Sequence, residues 1–64
     1  MKYALGEKPR TPSEAFDALE NVFSGSEFSR GEAEEVLEEV LDLDSSEASA
    51  EFRRLLRNDA ITEA

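Results

Sequence analysis

The groups able to do chemistry in this chain are oxygens and guanidiniums. None of its 64 residues is Cys or His. Disulfides, thiolate or imidazole metal sites and Cys–His or Ser–His pairs therefore have no material to be built from. A nucleophilic Ser needs an adjacent base, and no His or desolvated Lys stands ready to serve one. Carboxylates are abundant, but a glycosidase-type pair needs a cleft that so short a chain hardly builds. Gly6, Gly25 and Gly31 are isolated, so there is no glycine-rich phosphate loop. The expectation is a protein that is not an enzyme, with no catalytic residues and no cofactor.

Two constellations remain. Asp42-Leu-Asp44-Ser-Ser46 has the spacing that opens a calcium loop. Its sixth position, where Gly permits the sharp turn, holds Glu47, and its twelfth, where a bidentate Glu is needed, holds Arg53. The two acids read as turn and cap residues, and no metal site is expected. The second constellation is cationic. Arg53 and Arg57 fall one helical turn apart, in line with Ser46 and Ala50 and opposite the apolar stripe of the same segment. Arginines so placed can contact phosphate or guanine, and Ser45 and Ser46 near the helix start can donate to phosphate oxygens. The same face also reads as solvated arginines that suit the helix dipole, with Glu51 and Arg54 paired at i,i+3.

Punctuation in the sequence assigns the elements that would position these groups. Thr11-Pro-Ser-Glu14, Ser29-Arg-Gly-Glu32 and Asp44-Ser-Ser-Glu47 each match a capping box, in which an N-cap oxygen and a Glu three residues on satisfy free amides. Each precedes apolar residues at helical spacing, which predicts helices over about 12–23, 30–41 and 45–57. Pro12 suits the first helical position of the first, and Gly25 suits a left-handed cap at its end. Tyr3 and Leu5 alternate like a short strand, and Ala60-Ile61-Thr62 can lie opposite them. The fold class is thus mainly α: one compact three-helix domain over 1–64, with a small two-stranded sheet joining the termini. The expected core is Phe16, Leu19, Val22, Phe23, Val36, Leu37, Val40, Leu41, Leu43, Phe52, Leu55, Leu56 and Ile61.

Sixteen Asp and Glu against seven Lys and Arg give a net charge of -9. The outer face of the second helix is nearly all acid, with Glu34/Glu38, Glu35/Glu39 and Glu38/Asp42 as like charges at i,i+4. Such self-repulsion weakens a compact state at low salt. The acid excess with only two lysines, Lys2 and Lys8, resembles proteins of salt-loving archaea. No apolar run reaches membrane-spanning length and Met1–Gly6 lacks the apolar core of a signal peptide, so the expected address is cytoplasmic.

From Ser29 to Ile61 the order of residues resembles the helix-turn-helix of winged-helix DNA-binding domains. Ser29 opens a helix, Leu43 sits in the turn, Ala48, Phe52 and Leu55 give the next helix its pattern, and Asp59-Ala60-Ile61 leads to a closing strand. The resemblance implies that the third helix enters a DNA groove, with Ser45, Ser46, Arg53 and Arg57 as the contacts. It implies a strand partner too, a place that the segment through Tyr3 can fill. A second function class stays open: an acidic interaction module that binds a basic protein partner through the second helix, or self-associates through an apolar edge near Tyr3.

Overall fold

Caps decide where the helices begin. The computed structural model describes residues 1–64 and orders its elements as β1 (Tyr3–Leu5), α1 (Glu14–Phe23), α2 (Arg30–Val40), α3 (Ser45–Arg57) and β2 (Ile61–Glu63). At α2 the Ser29 hydroxyl accepts from the Glu32 amide while the Glu32 carboxylate accepts from the Ser29 amide, at 3.2 and 2.9 Å. At α3 Asp44 and Glu47 make the same reciprocal pair, at 2.8 and 3.3 Å. Both boxes match the sequence reading. The first does not. Ser13, extended at φ -133 and ψ 114, is the N-cap of α1, and its hydroxyl accepts from the Phe16 amide. Thr11 and Pro12 therefore lie outside the helix, which starts at residue 14 rather than 12. The cap falls to Ser13, two residues later than Thr11 and nearer the buried Ala15 and Phe16.

The helix ends use left-handed residues. Gly25 adopts φ 76 after α1, as its lack of a Cβ allows. After α2 and α3 the same place is filled by Asp42 (φ 54) and Asp59 (φ 61). Asp visits this region through local hydrogen bonding, though less readily than Gly. Beyond α3, the Asp59 amide donates to the Leu56 carbonyl and the Ala60 amide to the Leu55 carbonyl, satisfying two end-of-helix acceptors in a Schellman pattern. The second helix stops at Val40, one residue short of the expected range, with Leu41 as its C-cap.

The sheet is antiparallel in the register Tyr3↔Glu63, Ala4↔Thr62 and Leu5↔Ile61. Tyr3 also exchanges both backbone hydrogen bonds with Phe28, at 2.7 and 2.9 Å. The N-terminal strand thus lies, at Tyr3, between β2 and the entry to α2. The fold is a mainly-α domain of three helices closed by a two-stranded sheet from its two ends.

One core fills the space between the layers. Phe16, Leu19, Leu37, Phe52, Leu55 and Ile61 are buried as expected, and Phe23, Val36, Leu41, Leu43 and Leu56 pack against them half-buried. Val22 and Val40 depart from expectation at 54% and 58% exposed. Both sit in the last turn of their helix, past the buried segments Ala15–Leu19 and Ala33–Leu37. Ala15, Ala18, Ala33, Ala48 and Ala60 are buried instead. Small side chains at these positions let the elements approach closely. Phe28, absent from the expected core, is fully buried and stacks on Phe23 with ring centroids 4.7 Å apart.

Candidate nucleic-acid interface

The third helix is positioned from three sides. Its Ala48, Phe52 and Leu55 stripe is buried, and Tyr3 meets the Phe52 ring edge-on at 5.1 Å. Arg30 at the start of α2 lies 5.5 Å over the same ring, donates to Ser49 at 2.9 Å and pairs with Glu34 at 2.7 Å. This bracket ties α2 to α3. The sequence reading did not single out Arg30, although the Arg30/Glu34 spacing of four residues carried the signal.

With the inner face fixed, the outer face follows. Ser46, Ala50, Arg53 and Arg57 are all exposed, as the helical phase requires. Arg53 and Arg57 make no ion pair, whereas Arg54 lies 3.8 Å from Glu51. Ser45 and Ser46 are exposed in the first turn of α3, between the two carboxylates of its capping box. Those carboxylates already serve the first amides of the helix and place negative charge there. The N-terminus is therefore a poor phosphate cradle, and the arginines are the better part of the face.

The other cations are scattered. Lys2 lies 3.7 Å from Glu32 in an exposed pair, and Lys8 and Arg10 are exposed in the segment before α1. Glu32 is the one carboxyl clearly held below its ordinary pKa, because it accepts hydrogen bonds from the Ser29 backbone and side chain; nearby Lys2 adds to this. Asp44 is the cap of α3 and Asp42 its preceding left-handed turn residue, the roles the sequence assigned them.

Comparison with protein families, curated proteins and solved structures finds no match. The site must be read from its own geometry. That geometry is a helix held rigidly by its buried side, following a short turn after α2, with two free guanidiniums one turn apart on the opposite side. No helix is long and apolar enough to cross a membrane.

Proposed function

We propose that the chain is a small helix-turn-helix-like module that binds DNA through the outer face of α3, with Arg53 and Arg57 on phosphates or guanine edges. The observation that carries this reading is that both guanidiniums are exposed and free of carboxylate partners on a helix whose other side is buried. Supporting it are the turn between α2 and α3, where Asp42 takes the left-handed place that Gly often holds, and the β1 strand standing as partner to the closing strand. Ser45 and Ser46 would add hydroxyl donors at the edge of the footprint. With a net charge of -9, binding would be confined to this patch and its salt dependence would be shallow. Two phosphate contacts release few counterions, and salt also screens the repulsion between the rest of the molecule and a polyanion.

The test is amide chemical-shift mapping with short mixed-sequence duplexes at low and at molar salt, on the native chain and on Arg53→Ala/Arg57→Ala. Shifts on α3 that vanish in the double variant, with an unchanged melting profile, support the reading. Each lost phosphate contact should reduce the slope of log K against log salt by roughly one. Absence of shifts on α3 at any salt, or shifts that persist in the double variant, would overturn it.

A second reading, an acidic module for a basic partner protein, looks first to Glu34, Glu38 and Glu39 of α2. Glu34 is paired with Arg30 and Glu38 is half-buried, so exposed Glu39 and its neighbour Glu35 carry what supports it. An acidic surface of this kind also supports a high-salt habitat, where screening removes the self-repulsion.

A further inference from the structure

A groove of about 440 Å³ opens on the flank of α3 away from the Arg30 bracket. Its far wall is the segment from Pro9 to the start of α1, and α3 contributes Glu47, Ala50, Glu51 and Arg54. Between the walls lie Leu41 and Leu43, both half-buried, and the buried Leu55. The hollow is of the size that accepts small organic groups or a few side chains. Its charge is one-sided. Glu14, Glu47 and Glu51 line it, against Arg54 as the single guanidinium, already 3.8 Å from Glu51. Asp42 and Asp44, exposed between and after Leu41 and Leu43, do not line the groove but add negative charge nearby. The cations Lys8 and Arg10 line an adjoining hollow on the other side of the same Pro9–Ser13 segment, together with Phe16 and Asp17.

We propose that this groove docks a cationic segment of a partner protein, seating one apolar side chain among Leu41, Leu43 and Leu55 with lysines or arginines against Glu14, Glu47 and Glu51. Charge complementarity selects the occupant. A second copy of this chain would bring another net charge of -9 to an acidic rim, and a nucleic acid would meet the same repulsion. The leucines supply contact area, and the carboxylates supply the preference for cations and their orientation. The groove uses neither Arg53 nor Arg57, so it stands or falls apart from the DNA reading. It also gives the basic partner of the second reading a place distinct from the acidic face of α2.

The probe is a short synthetic peptide with a central Leu flanked by Arg and Lys, titrated into the isotope-labelled chain at moderate salt. Two further peptides serve as comparisons, one with the Leu replaced by Gly and one with the cations replaced by Glu. The expected result is amide shifts concentrated at Leu41, Leu43, Ala50 and Leu55, weakened by the Gly peptide and absent with the Glu peptide. Glu14→Lys/Glu51→Lys should weaken the cationic peptide by roughly tenfold or more and admit the acidic one. Neither residue takes part in a cap hydrogen bond, but Glu14→Lys opposes the dipole of α1 and Glu51→Lys breaks the exposed pair with Arg54. A cooperative melt, slightly lowered, is therefore the check that the variant is folded. Shifts that follow Glu35 and Glu39 regardless of the central Leu would overturn the proposal. So would binding unaffected by the double variant, or no binding of the cationic peptide.

Discussion

Truncating Phe28 tests the part of this fold that helical periodicity conceals. The residue is fully buried, stacks on Phe23 and lies where the chain bonds to Tyr3. Phe28→Ala removes an aromatic side chain that hides on the order of 150 Å². At about 25 cal/mol per Å² that is nearly 4 kcal/mol, within the roughly 3–5 kcal/mol observed for such truncations. A 64-residue domain at 0.05–0.15 kcal/mol per residue has roughly 3–10 kcal/mol to lose. The variant should therefore be marginal or unfolded at room temperature, its melting point lowered by roughly 15 °C or more. Val22→Ala is the companion, because its side chain is 54% exposed and its loss should cost less than about 1 kcal/mol. Far-ultraviolet circular dichroism during urea and thermal melts reads both. A Phe28→Ala melt within a few degrees of native, or a Val22→Ala cost equal to it, would refute the packing.

The remaining expectations are more local. A Cβ at Gly6 would stand 2.5 Å from the Asp59 carbonyl oxygen, a backbone atom that cannot swing aside. Gly6→Ala should therefore cost roughly 1–3 kcal/mol in the same melts and weaken amide protection at the β1–β2 junction. Melting temperature should rise between millimolar and molar chloride, as the Debye length falls from about 30 Å to about 3 Å; a flat or falling profile would remove the electrostatic account of α2. Glu32 is held below its ordinary pKa in the fold, so its cap contributes above the unfolded carboxylate value near about 4.3 and is lost as pH falls through the lower folded value. Ser29→Ala removes the hydroxyl but keeps the backbone N–H, the larger cause, so the Glu32 titration, followed by carboxyl NMR, should move only part of the way back toward the ordinary range.

Where the sequence was readable, each residue answered to a local rule. Ser29 with Glu32 and Asp44 with Glu47 are reciprocal donors and acceptors within four residues, so α2 and α3 begin where the pattern says. The strand pairing through Leu5 and Ile61 followed from the alternation of Tyr3 and Leu5 and the run Ala60-Ile61-Thr62 after the helix stop, with β2 itself one residue further on at Ile61–Glu63. What escaped depends on contacts distant in sequence. Phe28 belongs to no periodic stripe; its place just before the Ser29 cap marks it only as the apolar residue of a hydrophobic staple, and its full burial needs the Phe23 ring and the pairing with Tyr3 as well. Val22 and Val40 continue their stripes in sequence, but in those last turns Phe23 and Leu37 hold the inner positions and the valines stay exposed. The arginine face was legible because phase alone places Arg53 and Arg57 opposite Phe52. The groove was not, since Pro9–Thr11 and Leu43 meet only once the helices have packed.

The two proposed surfaces share α3, and the Glu51–Arg54 pair lies at their seam. Taking about 100° per residue, Arg54 falls roughly 80° from the midline of Arg53 and Arg57, toward the flank of Glu47 and Glu51. Glu51 thus draws Arg54 away from the cationic face while adding charge to the acidic one. Glu51→Gln keeps the side chain's length and removes only that charge. The freed Arg54 should strengthen DNA binding at low salt by a factor of about 2–5, as expected for one exposed ion pair. The same change should weaken the cationic peptide, because the groove loses one of its carboxylates. Fluorescence anisotropy on both ligands at matched ionic strength reads the two effects together. Because removing any carboxylate from so acidic a chain moves the two ligands in opposite senses, Glu20→Gln on α1 serves as the control. Opposite changes larger than the control's place the meeting of two surfaces at Glu51. Changes in the same direction would mean that Glu51 acts through stability, and the division of α3 into two faces would have to be abandoned.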